Sequence, residues 1–172
     1  MIRNVPNKYI LKEIVQEIGK EFLGKIDFIR AKALFAIDID ACKPHLHNQC
    51  ILNWHKAIHP LLLLNFKGTG KKVQPLDIKL INDERILIIS GPNAGGKSVC
   101  LKSIGLLQYM LQCGLPIPVK ENSVCGVFRD IMIDIGDEQS IENDLSTYSS
   151  HLRNMKQMIR NVSDSSLILI DE

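Results

Sequence analysis

The chain has 172 residues, 45% of them hydrophobic and 23% charged, with a formal charge of +2. That balance supports one domain with a buried core and excludes an intrinsically disordered chain. A charge this small gives no argument for nucleic acid, whose phosphates need a clustered basic face. The five cysteines (Cys42, Cys50, Cys100, Cys113 and Cys125) include no CxxC pair, and Met1-Ile2-Arg3-Asn4-Val5-Pro6 lacks an apolar signal region. Reduced thiols in the cytoplasm are therefore expected. No apolar run approaches the ~20 residues of a membrane span.

Ile10, Ile14, Ile18, Phe22 and Ile26 recur every fourth residue, which predicts a long helix with a wet face of lysines and glutamates. Residues 27–37 continue as a second helical stretch through Phe28, Ile29, Ala33, Leu34 and Ile37. Between 51 and 80, short apolar runs at 61–64 and 73–81 flank Lys67-Gly68-Thr69-Gly70-Lys71, which predicts a small β-subdomain built around a hairpin. The pattern then becomes β-α-β. Residues 86–89 read as a strand buried on both faces, and a glycine-rich turn leads into a helix over 98–111. One or two strands fall within 124–133, a helix covers 147–160, and 167–170 form another buried strand. Strands alternating with helices predict an α/β fold with a mostly parallel sheet.

Gly91-Pro92-Asn93-Ala94-Gly95-Gly96-Lys97-Ser98 fits G-x-x-x-x-G-K-[ST] between the predicted strand and helix. Glycines let backbone N–H groups close around phosphates, and the helix presents its positive end to the anion. Lys97 would reach the β- and γ-phosphates of ATP, and the Ser98 hydroxyl would ligate Mg²⁺. At the far end, Leu167-Ile168-Leu169-Ile170 runs into Asp171-Glu172. Downstream of a P-loop, Asp171 would hold the magnesium shell and Glu172 would orient or deprotonate the attacking water. Cys42, His45, His47 and Cys50, with His55 and His59 nearby, are residue types that suit zinc. Pro44 interrupts that cluster, and such close spacing disfavours convergence on one ion.

The wording of the P-loop resembles the GPNxGGK of the MutS family of DNA-repair ATPases, rather than the G-x-N-G-x-G-K-S-T of ABC-type proteins; no LSGGQ signature precedes residue 167. Asp134-Ile135-Gly136-Asp137-Glu138-Gln139-Ser140-Ile141 and Leu145-Ser146-Thr147-Tyr148-Ser149-Ser150-His151 resemble the second bacterial MutS paralogue, the recombination-suppressing branch. Asp27-Phe28-Ile29-Arg30-Ala31-Lys32-Ala33 resembles the end of the lever helix in that branch, and His59-Pro60-Leu61-Leu62 resembles the entrance to the ATPase domain. Ile58 stands where the family commonly has Arg, and Val99 where Thr is commoner.

The resemblance implies a P-loop NTPase fold of MutS type. Residues 1–50 would end a helical lever or core domain, and residues 51–172 would open the ATPase domain. Asn93 would face the γ-phosphate, Gln139 would sense the metal and water, and Ser146 and Thr147 would approach the nucleotide of a partner subunit. The implied parent is a homodimeric, DNA-dependent ATPase binding ATP and ADP with Mg²⁺. It would act on mismatched or branched DNA, recombination intermediates or collided ribosomes. DNA contacts would lie on domains outside these residues, and this portion alone would be inactive. A non-catalytic fragment docking on a full-length partner is the alternative expectation.

Overall fold

The computed structural model describes residues 8–92, 95–135 and 144–171, with side chains from residue 15 onward and, in the last helix, from 149. Helix α1 (Lys8–Asp38) is continuous through both predicted helical stretches. No proline or glycine pair interrupts the second half, so nothing stops propagation at residue 27. Its apolar residues from Val15 to Leu34 are largely exposed; only the last turn enters the core, through Ala36 and then Ile39. Lys32 Nζ also lies 3.4 Å and 3.3 Å from the carbonyl oxygens of Cys113 and Gly114, where a cation meets the negative end of a later helix.

The predicted β-subdomain is realised differently. Strands β1 (His45–His47) and β2 (Leu52–Ala57) are followed by helix α2 (Pro60–Phe66) and strand β3 (Leu76–Leu80). The run 61–64, expected as a strand, is therefore helical. Pro60 occupies the first turn, where its missing N–H costs nothing, and His59 Nδ1 accepts from Leu62 N at 3.4 Å as the cap. Strands β2 and β3 pair antiparallel across that long connection rather than through a tight hairpin.

Helix α3 (Lys97–Gln112), strands β4 (Val124–Gly126) and β5 (Asp130–Asp134), helix α4 (Asp144–Asn161) and strand β6 (Ser166–Ile170) complete the order. The strands form two sheets: a four-stranded one in the order β1-β4-β2-β3, and a parallel pair, β5-β6. In the first, β1 runs parallel to β4, whereas β2 is antiparallel to both β3 and β4, so the sheet is mixed rather than mostly parallel. Residues 124–133 thus split between two sheets.

The largest departure concerns residues 86–89. They belong to no strand, and Ile86 and Ile88 are 85% and 84% exposed. A run apolar on both faces becomes a strand only when neighbours accept its backbone ladder. Among the described strands, β6 pairs with β5 alone, and none lies against residues 86–89. A cavity of about 640 Å³ separates the two segments, lined by Ile86, Ile88 and Ile89 and by Leu167, Ile168 and Leu169.

The core lies between the four-stranded sheet and α3. Trp54, Leu52, Ile39, Leu107 and Ile117 are fully buried there. Trp54 Nε1 donates to Cys125 Sγ at 2.7 Å, which gives the buried indole a partner. Burial pushes the Cys125 thiol up to about 12, whereas Cys113 is exposed. Alkylation with a maleimide at pH 8, followed by peptide mass spectrometry, is therefore expected to label Cys113 first. Cys125 should react only after denaturant unfolds the chain, since the thiolate is the nucleophile.

Candidate functional site

The glycine-rich segment enters α3 through Gly96, whose φ of 83° lies in the left-handed region that favours glycine. Gly95 N donates to the Pro92 carbonyl oxygen at 2.8 Å, closing a turn, and Cys100 N donates to Gly96 O at 2.9 Å as the helix begins. Among the described residues, no side chain caps this start. The first turn of α3 consequently presents backbone N–H groups and the positive end of the helix dipole to the loop. Lys97 Nζ arches back to the Gly91 carbonyl oxygen at 3.0 Å, and Ser98 is half-buried in the first turn.

The direction of α3 follows from two contacts. Near its end, Gln112 Oε1 accepts from Phe128 N at 2.9 Å, just before β5 starts. At its middle, a Cβ on Gly105 would sit 3.0 Å from both Ile133 Cδ1 and Leu169 Cδ1, next to the last residues of β5 and β6. The helix therefore runs antiparallel to both strands. Lys97, about 12 Å further along the axis, projects beyond their carboxyl ends. In open α/β sheets ligands bind at that edge.

Asp171 follows β6 directly at the same edge, and its N–H donates to the Asp134 carbonyl oxygen at 2.9 Å. Asp134, the last residue of β5, is 4% exposed. Its carboxylate meets His151 Nδ1 and Asn154 Nδ2, each at 2.9 Å, from α4. Burial pushes the Asp134 carboxyl up, but the hydrogen bonds from Asn154 and His151 and the imidazole's charge outweigh it, holding it below the usual range. The carboxylate is therefore ionised at neutral pH and can only accept, so His151 Nδ1 carries the hydrogen. This network was not among the sequence-based expectations. Its signals were an aspartate closing the apolar run of β5 and a His/Asn pair at i, i+3 on one helix face.

Of the expected site residues, Gly91, Pro92, Gly95, Gly96, Lys97 and Ser98 form the loop and helix start, and Asp171 lies at the strand end. Asn93, Ala94, Gln139 and Glu172 lie outside the described residues. Ser146 and Thr147 fall in the first turn of α4, where the backbone alone is described. Three members of the cysteine and histidine cluster near residue 45 have other partners. Cys42 Sγ donates to Val119 O, His47 Nδ1 accepts from Gln49 N, and Cys50 Sγ donates to Val127 O. Among the described residues, no three His, Cys, Asp or Glu gather as metal ligands. None of the described helices is long and apolar enough to cross a membrane.

A glycine-rich loop feeding a helix start at the carboxyl edge of a parallel strand pair is the class of site seen in P-loop proteins. Within that class, residues 87–172, half of the chain, match the family model described as MutS domain V, and the chain belongs to the MutS family. It is 45% identical over 172 residues to the Endonuclease MutS2 of Finegoldia magna, covering 95% of this chain and 21% of that protein. It is 42% identical to that of Carboxydothermus hydrogenoformans (94% and 22%) and 46% identical to that of Levilactobacillus brevis (90% and 19%). The chain thus spans about a fifth of these relatives' length.

Two measurements probe this geometry. The depressed Asp134 carboxyl contributes stability that is fully present above the unfolded-state value near 3.8 and is lost as pH falls through the lower folded-state value. Urea midpoints taken between pH 7 and pH 3 should fall for the wild type, and Asp134→Asn should flatten that acid limb. Gly105→Val should cost about 1–3 kcal/mol in urea denaturation, because the added methyls overpack against Ile133 and Leu169. Gly105→Ala should cost less, since flexible side-chain ends can yield.

Proposed function

We propose that the chain supplies the ATP- and magnesium-binding portion of a MutS-type ATPase domain, within a longer protein that works on DNA. The observation that carries this reading is the uncapped α3 start, with Lys97 and Ser98, placed at the carboxyl edge where Asp171 emerges. These residues fit a nucleoside triphosphate. Backbone N–H groups and a cation suit the phosphates, and the Ser98 hydroxyl and Asp171 carboxylate are the hard oxygen donors magnesium prefers.

In this reading Gly91, Pro92, Asn93, Ala94, Gly95 and Gly96 wrap the phosphates, and Lys97 fixes a positive charge where negative charge builds during phosphoryl transfer. Magnesium, when bound, would supply further charge neutralisation there. Ser98 and Asp171 hold that ion, Glu172 orients water, and Ser146 and Thr147 reach the nucleotide of a second subunit. Residues 1–50 belong to the end of a lever or core domain and residues 51–172 to the first part of the ATPase domain. ATP binding then drives a homodimeric clamp on mismatched or branched DNA, recombination intermediates or collided ribosomes, through domains beyond these residues. The nuclease in the relatives' name we assign to other parts of those proteins.

Titration of the 172-residue chain with a fluorescent ATP analogue, with and without Mg²⁺, tests the assignment. We expect weak binding that Lys97→Ala removes, loss of only the magnesium-dependent part with Asp171→Asn, and phosphate release at the blank rate. Exchanging these residues for the matched stretch of the Finegoldia magna relative should give ATP turnover that Lys97→Ala abolishes. Magnesium-dependent binding that survives Lys97→Ala would sink the reading.

Among the described residues, the edge of β6 with no strand beside it, the run 86–89 outside any sheet and the exposed apolar side chains of α1 favour a second reading, in which the chain docks non-catalytically on a full-length partner. A stable monomer at micromolar concentration in light scattering would argue against it.

A further inference from the structure

Asp134 makes polar contacts in two directions. Its carboxylate grips α4 through His151 Nδ1 and Asn154 Nδ2, each at 2.9 Å, while its carbonyl oxygen accepts from Asp171 N at 2.9 Å. One residue therefore connects the carboxyl end of β6 to the middle of α4, the helix that precedes β6 in the chain. At 4% exposure the carboxylate has little water to replace a lost partner, so releasing α4 is costly unless Asp134 itself shifts. Such a shift carries the carbonyl that holds Asp171.

The two gripping side chains lie three residues apart on one face of α4. Thr147 lies one turn before His151, about 6 Å along a helix that transmits displacement as a rigid rod. Residues 146 and 147 are thus coupled mechanically to the same anchor.

We propose that Asp134, His151 and Asn154 are positioning residues that lock the backbone of Asp171 and the start of α4 into one unit. The carboxylate on the metal side and the helix turn carrying Ser146 and Thr147 are then set together, and a displacement of one displaces the other. The functional half of this proposal rests on the reading of Asp171 as a magnesium ligand; the mechanical half does not.

The test uses residue-resolved amide hydrogen exchange on the 172-residue chain. In the His151→Ala/Asn154→Ala double variant the Asp171 amide should exchange about tenfold faster or more, as expected for loss of a local buried hydrogen-bonded lock, with α3 and the β2–β3 pair unchanged. Asp134→Asn keeps the acceptor for Asn154 but turns an amide N–H toward the His151 Nδ1 hydrogen, so the Asp171 amide should exchange at a rate between wild type and the double variant; Asp134→Ala should behave like the double variant. In the presence of the fluorescent ATP analogue, the double variant should weaken Mg²⁺ affinity about tenfold and leave magnesium-free binding intact. A loosened α4 with an unchanged Asp171 amide would overturn the proposal. So would acceleration spread over α3 and β2–β3, which would make the network a general stabiliser. If wild-type binding has no magnesium-dependent part, or Asp171→Asn leaves that part intact, the magnesium reading of Asp171 fails. The exchange data would still decide the mechanical lock.

Discussion

The seating of α3 is the constraint from which the other geometry follows. Its buried face contributes Ile104, Leu107 and Met110 to the core, and Gln108 Nε2 donates to the Gly126 carbonyl of β4 at 2.9 Å. On the opposite sheet, Gly105 allows Ile133 and Leu169 to approach as closely as a missing side chain permits. One helix therefore binds the mixed four-stranded sheet to the parallel pair. The same contacts aim the glycine-rich loop past the carboxyl ends of β5 and β6. If this helix were displaced, the core would lose its lid and Lys97 its place relative to Asp171.

Electrostatics and packing divide the work at that edge. The loop side is built from backbone geometry: a left-handed glycine, an uncapped helix start and a lysine arched over its own loop. The strand side is built from side chains, with a buried carboxylate held ionised by two donors from α4. In the proposed reading, a preorganised arrangement of this kind would avoid reorganisation when charge develops, which is the main contribution a phosphoryl-transfer site makes. It also ties the helix that carries Ser146 and Thr147 in its first turn to the strand end that carries Asp171.

Periodicity made α1, α3, α4 and β6 legible, because each is long or strongly patterned. The glycine-rich turn into α3 was legible because its glycines punctuate the chain just before a helical pattern begins. Three features were not. The run 61–64 read as a strand because apolar clustering was weighed above Pro60, which starts a helix. Residues 86–89 read as a buried strand because the pattern reports what a segment could pair with, and the described strands supply no neighbour. The Asp134, His151 and Asn154 network joins residues 17 and 20 positions apart, and no local pattern encodes that proximity. Whole-chain balance also hid the division into two sheets, since β4 and β5 are separated by only a few residues.

The chain contains a single tryptophan, and that indole is fully buried against a sulfur in the four-stranded sheet. Tryptophan emission, excited selectively over the three tyrosines, is thus an optical reporter confined to one half of the molecule. It follows solvent entry around β2, β3 and β4 and carries little direct information about the strand pair or α4. A denaturation curve recorded in this channel alone would describe the mixed sheet and would pass silently over earlier release of the edge where Asp171 sits. Coincidence between that curve and backbone circular dichroism is consequently the criterion for treating the chain as a single cooperative unit.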